Sequence, residues 1–268
     1  LTDRGFISWK YIQPLSIQDA KGGIKLNVEQ DALEDIPPAD ISEMLMELDP
    51  YQRPALLKML DVQTQVDIIT ELELKWQKDL IEDLDRKTAV ELFEQMPADE
   101  ATDLLQEFSK RDANHFIARI STRKAREIRE LMEHETDSAG GIMTTEFVTL
   151  TKEMNVGEAI ELVRQQGASA ETIHCSYVVN ENKRLIGSVL IRELLLEPNP
   201  VKIEDVMHKK PPDVNVDDSV KEVAFTFDKY NHFVLPVTND DGVIEGIITI
   251  DDVLSHAVEE AWGERTGL

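Results

Sequence analysis

The sequence is short of the residues that most often carry chemistry. Its 268 positions include one cysteine, Cys175, which excludes internal disulfides and any multi-cysteine zinc site and suits a reducing compartment. Cys175 stands before the strand-like run Ser176-Tyr-Val-Val, where a lone thiol acts as a small buried hydrophobe. Six histidines (His115, His134, His174, His208, His232 and His256) are scattered, with no His-x-x-x-His pair. Gly-x-Ser-x-Gly, P-loop and Gly-x-Gly-x-x-Gly patterns are also missing. These absences point to a non-enzyme. The longest apolar stretches, such as Leu185–Ile191 and Gly246–Ile250, are strand-sized, far short of the ~18 residues that cross a bilayer. Bases are scarce as well: 28 against 53 acids give a net charge of −25. A duplex-binding protein displaces counterions with a basic stripe, so nucleic acid is excluded as a partner, and anionic membrane surfaces are disfavoured.

What is present is a globular composition, 41% apolar and 30% charged, long enough for two domains with real cores. The acidity is not a tail. Residues 31–135 hold 26 acids and 13 bases, and residues 141–268 hold 23 and 11. Within the first half, 31–107 holds 21 acids and 6 bases, whereas 108–135 holds 5 and 7. Such a chain repels itself when compact. Either the acids keep a solvated surface soluble, or a divalent counter-cation belongs to the working state.

A twelve-residue repeat organises the first half. Ile36, Leu48, Leu60, Leu72, Leu84, Met96, Phe108, Ile120 and Met132 stand twelve apart. Eight residues after each come Met44, Leu56, Ile68, Leu80, Leu92, Leu104, Phe116 and Ile128, followed by a second apolar position except at Arg129. Asp or Ser after the starting apolar reads as an N-cap and Pro as a first-turn residue. Each unit is thus a helix of two to three turns with a tight corner, and stacked units share one core. The helical period breaks at Asp137–Met143. Beyond it, Met143-Thr-Thr through Val156-Gly-Glu-Ala-Ile matches Met207-His-Lys through Val220-Lys-Glu-Val-Ala at an offset of 64. Each copy reads strand, helix, strand, turn, strand, helix, with Asn239-Asp-Asp-Gly242 as a hairpin signal.

These copies resemble CBS domains, through Leu185-Ile-Gly and Ile244-Glu-Gly, Leu235-Pro-Val, and Thr249-Ile-Asp-Asp252-Val-Leu. The order of helical repeats, Asp137-Ser-Ala-Gly-Gly-Ile-Met-Thr144, then two CBS copies ending in Glu259-Glu260-Ala261, resembles the cytosolic part of MgtE-type magnesium transporters. The expected fold is therefore multi-domain, α and α/β: an all-α superhelical repeat domain followed by a tandem CBS (Bateman) module. Its bounds are 36–136 for the helical domain, 137–203 and 204–262 for the two CBS domains, and 263–268 for the start of a linker. Residues 1–35 have no assigned role. The chain opens without Met and stops in a helical pattern, and the resemblance implies a transmembrane pore after Leu268.

Candidate ligands follow from geometry and from resemblance. Asp67 with Glu71, Asp79 with Asp83, Asp103 with Glu107, and Glu43 with Glu47 are i,i+4 pairs opposite the apolar stripe, each like-charge pair costing about 0.2–0.5 kcal/mol. Magnesium keeps several waters and is held by one or two carboxylates, so such an array suffices. Glu71, Asp103 and Glu107 are the helical candidates. The resemblance implies regulatory magnesium at Asp241 and Asp251, although Asp251 and Asp252 also suit a helix cap. It also implies an adenosine nucleotide such as ATP at Thr249-Ile-Asp-Asp252, the hydroxyl toward phosphate and Asp252 toward ribose, while Leu190-Ile-Arg-Glu193 departs from that pattern. The expected function is magnesium sensing at the cytoplasmic face of the membrane by a homodimer paired through its CBS modules. Bound Mg2+ bridges acidic faces and favours a compact, closed state. The alternative is a freestanding CBS nucleotide sensor with a helical docking arm.

Overall fold

The structure is a computed structural model that describes residues 36–50 and 52–255. The expectations for 1–35, for the end of the second CBS copy including Glu259 and Glu260, and for 263–268 lie outside those residues. The described chain divides into two units. One runs to Met96 and resumes at Leu104–Ile120, and the other joins Pro97–Asp103 to the residues from Ser121 onward.

The helices are α1 Pro38–Glu47, α2 Arg53–Leu57, α3 Val62–Thr70, α4 Leu74–Asp83, α5 Arg86–Gln95, α6 Ala98–Gln106, α7 Lys110–Ile117 and α8 Thr122–Leu131, and all but α2 begin where the twelve-residue repeat places them. The side chains of Asp61, Asp85, Ser109 and Ser121 accept N–H bonds from the residue three ahead, each such cap worth about 1 kcal/mol. Glu73 makes no side-chain cap. Arg53-Pro54 shifts the start of α2 away from Asp49, so Gln52 holds the cap position. In the first unit each helix packs chiefly on the next but one, α1 on α3, α2 on α4, α3 on α5 and α5 on α7. The second apolar of each repeat is the core position: Leu57, Ile69, Ile81, Phe93 and Ile117 are all buried. Phe93, Phe108 and Phe116 close this core as a ring cluster with centroids 4.9–6.4 Å apart.

Where the period breaks, Ser138 caps a short helix, α9 Ala139–Ile142, by accepting from Gly141 N–H. A Cβ on Gly141 would stand 2.2 Å from the Glu135 carbonyl oxygen, so this glycine permits close backbone approach, whereas one on Gly140 would meet the His134 ring.

The CBS copies follow as β1 Thr149–Thr151, α10 Val156–Gln166, β2 Cys175–Val179, β3 Leu185–Leu190, α11 Ile191–Leu196, α12 Ile203–Val206, β4 His208–Lys209, β5 Val214–Asn215, α13 Val220–Tyr230, β6 Val234–Thr238 and β7 Ile244–Thr249. One sheet runs β1-β2-β3-β4 and the other β5-β6-β7, each starting with a parallel pair and continuing antiparallel. Internal duplication shows in the caps, since Asn155 with Glu158 and Ser219 with Glu222 form matching capping boxes. It shows again in an exchange: β4, which leads into the second copy, pairs with β3 of the first, and Thr144, which leads into the first copy, bridges Ile247 of the second. Cys175, Tyr177, Val179, Val234, Ile244 and Ile247 bury one another across the two copies, so neither has a complete core alone.

Candidate functional site

Two places in the second unit stand out. The first is a set of carboxylates gathered from four parts of the sequence. Pro97 opens α6, and Asp99 and Glu100 occupy its first turn. The Oδ1 of Asp99 is buried without a hydrogen-bond partner among the described residues. An orphaned carboxylate oxygen is costly, because its hydration is lost and not replaced. Burial, joined by the charges of Glu171, Asp252 and Glu146, pushes Asp99 up to about 7. Burial, with Asp99, Asp103 and Asp252 nearby, pushes Glu100 up to about 8. Loss of hydration and the charges of Asp252, Asp251 and Glu146 likewise raise Glu171. One cation enters the set: the nearly buried Lys124 ammonium lies 3.5 Å from Glu146. Among the described residues no three acidic or histidine side chains stand close enough to hold an ion directly.

The sequence-derived candidates divide between the two units. Asp103 and Asp251 belong to this carboxylate set, and Asp252 with them. Glu71 and Glu107 are exposed and belong to the first unit. Asp241 is exposed at the tip of the β6–β7 hairpin, 3.4 Å from Arg184 Nη2. Asp99, Glu100, Glu146 and Glu171 were not among the candidates. Two adjacent acids after a helix-opening proline were the only local signal.

The second place is a cavity of about 510 Å3 between the copies. Thr249 and Asp252 do not line it. Thr249 donates its hydroxyl to Asp252 Oδ2 at 2.6 Å and its N–H at 3.1 Å, so the pair closes the start of the last helix. From the first copy its lining includes Leu190 and Arg192, at the start of α11, and from the second copy residues 208–212 and 230–234. Arg192, Lys209 and Lys210 give it a cationic lining, unusual in so acidic a chain, and Tyr230, Phe233 and Tyr177 give it aromatic surface. Lys210 and Asn231, both lining it, hold left-handed φ of 54° and 52°. Asn231 takes that conformation as the C-cap of α13, where a left-handed Asn commonly ends a helix. Glu193 braces the wall. Partial burial raises its carboxyl, but hydrogen bonds from His208 and Leu190 N–H outweigh that and hold it below the ordinary range.

A repeat-helix unit, an exchanged CBS pair and an electrostatically loaded α6 are together a specific combination, and comparison with known proteins agrees. Residues 36–137 match the MgtE intracellular N domain, and residues 139–198 and 203–259 match the CBS domain. A crystal structure of the cytosolic domain of the Mg2+ channel MgtE in complex with ATP is 30% identical, with a TM-score of 0.81 over 84% of this chain and 92% of that one. The chain belongs to the MgtE family. A crystal structure of the soluble part of a magnesium transporter superposes at a TM-score of 0.82 with 29% identity, covering 87% of this chain and 91% of that one. Magnesium transporter MgtE of Enterococcus faecalis is 35% identical over 147 residues, 55% of this chain and 32% of that protein. MgtE of Thermus thermophilus is 37% identical over 139 residues, 52% and 31% respectively. The chain thus matches about a third of the length of these full MgtE relatives. No described helix is long and apolar enough to cross a membrane.

Proposed function

We propose that this chain is the magnesium-sensing regulatory region of a magnesium transporter, working at the cytoplasmic face of the membrane next to a pore. The observation that carries this reading is the buried Asp99 Oδ1, without a hydrogen-bond partner among the described residues, beside the carboxylates of Glu171, Asp252 and Glu146. A hydrated Mg2+ restores the missing partner and neutralises several charges at once. Because it binds only where these carboxylates converge, it favours the compact arrangement over any open one. Asp103 and Asp251 complete the ligand set in this reading, and Glu71, Glu107 and Asp241 supply outlying charge. Removal of the ion leaves mutual repulsion at α6, the helix that continues beyond Asp103 into the repeat unit.

The cavity adds a second ligand to the same region: an adenosine nucleotide, supported by its cationic and aromatic lining and by the ATP found in the related cytosolic domain. Two such chains pair through their CBS modules, a reading supported by the exposed Leu195, Leu196 and Phe225 on α11 and α13. Calorimetric titration with Mg2+ and with ATP tests the two ligands separately. Magnesium binding that survives Asp99→Asn combined with Asp252→Asn removes the carboxylate set from the mechanism.

A further inference from the structure

Lys124 stands where a lysine is least expected. It lies in the first turn of α8, and the amide dipoles of a helix favour acids in the first turn and bases in the last. In the other repeat units the same position, fourth after the repeat apolar, holds acids or neutral residues, Asp40, Glu100 and Asp112 among them, and no base. Its face of the helix is unusual too. Arg123 and Arg126 are exposed and pair with Glu127 and Glu130 one turn on. Lys124 instead shares the buried face with Ala125, Ile128 and Leu131 and is 7% exposed. A buried ammonium loses hydration that one ion pair barely returns, so an apolar residue would serve the core better.

What faces this ammonium is the carboxylate set. It lies 3.5 Å from Glu146 Oε1. Glu146 is tied down in turn, since its carbonyl accepts the Glu171 N–H at 2.7 Å and its own N–H donates to Thr144 Oγ1 at 3.3 Å. We infer that Lys124 is a positioning residue of the carboxylate set, a resident counter-ion that holds Glu146 and thereby sets how strongly the set draws a divalent cation. The inference rests on the magnesium-sensing reading above. An ammonium and a divalent cation draw on the same negative charge. Without the ion, Lys124 offsets part of the repulsion and keeps Glu146 in place. With the ion present, Lys124 repels it and withholds one carboxylate, so binding is weaker than the acids alone would give. A sensor built this way responds at a higher magnesium concentration.

The test is calorimetric titration with Mg2+ of the 268-residue chain, of Lys124→Met, and of Lys124→Met combined with Glu146→Gln, alongside melting in chelator and in Mg2+. Lys124→Met should tighten Mg2+ binding about tenfold, the scale of one unit charge acting on a divalent ion across several ångströms of protein and water. The double variant restores the parent's net charge and should return close to the parent's affinity. In chelator Lys124→Met should melt lower than the parent, and Mg2+ should raise its melting temperature by more. Should Lys124→Met not melt cooperatively, Lys124→Gln takes its place with the same expectations. Unchanged or weaker Mg2+ binding in the single variant, or equal melting losses in chelator and in Mg2+, overturns the inference by showing a merely structural lysine while magnesium sensing stands. A double variant as tight as the single one overturns the hold on Glu146. A parent chain that binds no Mg2+ removes the sensing reading and this inference with it.

Discussion

His208 Nε2 lies 2.7 Å from Glu193 Oε1, and the other oxygen of the same carboxylate accepts the Leu190 N–H at 3.0 Å. The second CBS copy solves the corresponding helix start with a shorter acid, Asp252, which takes both the N–H and the hydroxyl of Thr249. The longer glutamate thus does two jobs, closing α11 and fixing an imidazole at the cavity wall. Glu193→Ala removes both and should destabilise the chain by about 1 kcal/mol, the usual worth of a cap. Glu193→Gln keeps an oxygen that accepts from Leu190 and should recover most of that loss. Thermal melting of the two variants checks it, and equal losses would show that the carboxylate charge, not the cap, was the stabilising element.

The paired glycines of β3 and β7 make a second comparison. A Cβ on Gly246 would meet the Thr144 carbonyl oxygen at 2.7 Å as well as Met143 Sδ at 2.7 Å. On Gly187 the nearest contact is Met207 Sδ at 2.8 Å, with the His208 carbonyl oxygen farther off at 3.1 Å. A methionine side chain can move aside, whereas the Thr144 backbone, bridged to Ile247, cannot. Gly246→Ala should therefore destabilise by more than Gly187→Ala, on the scale of the 1–3 kcal/mol of overpacking. Denaturant titration of both variants gives the order, and the reverse order would contradict the packing described for the exchange.

Asp99 and Glu100 set a pH dependence with a definite sign. Their folded values of about 7 and about 8 stand above the ordinary 3.8 and 4.5, so the folded chain holds these protons more tightly than the unfolded one. Stability from the two groups is complete below about pH 4 and falls as pH rises through 7 to 8. In chelator, the melting temperature should therefore drop between pH 5 and pH 8. Asp99→Asn with Glu100→Gln should flatten that drop, and so should millimolar Mg2+ in the parent chain. A parent chain whose melting temperature rises over this range in chelator would sink the assignment.

The Cys175 thiol should be inert. It is 6% exposed, and burial pushes it up to about 11, so almost no thiolate forms at neutral pH. Alkylation by iodoacetamide at pH 7.5 should be slow in the native chain and fast in denaturant. Fast labelling of the native chain would place this strand on the surface instead.

How much of this was legible in the sequence differs between the two units. Spacing alone located the helices, because Leu57, Ile69 and Ile81 recur every twelve residues and each must be buried for a short helix to persist. The CBS duplication was legible for a similar reason: strands, caps and hairpins leave local marks such as Asn155 with Glu158 and Ser219 with Glu222. The carboxylate set was legible only in part. Helical spacing favoured pairs such as Asp103 with Glu107, and spacing cannot separate an acid facing water from one facing other acids. Glu146 and Glu171 come from loops with no periodicity at all, and only the folded chain brings them to Asp99. For the nucleotide, the Thr249-Ile-Asp-Asp252 pattern marks a helix start closed by its own hydrogen bonds, and the cavity between the copies takes its lining from other residues of both.

The last prediction concerns shape, and it separates a solvated acidic surface from a cation-dependent one. If the acids are surface decoration, Mg2+ should act as salt does, screening over about 8 Å at physiological ionic strength and leaving the chain's dimensions alone. If a cation belongs among Asp99, Glu100, Glu171 and Asp252, millimolar Mg2+ should reduce the radius of gyration well beyond NaCl at matched ionic strength. Bringing that many carboxylates together is unfavourable without a counter-charge, and among the described residues the Lys124 ammonium beside them is already engaged with Glu146. Neutralising Asp99→Asn and Glu100→Gln should have two effects at once. It removes repulsion, so the variant should be more compact than the parent in chelator. It also removes ligands, so the further response to Mg2+ should shrink. Small-angle scattering reads both quantities in one series. Superimposable curves in Mg2+ and matched NaCl for the parent chain would leave the carboxylate set without a sensing role.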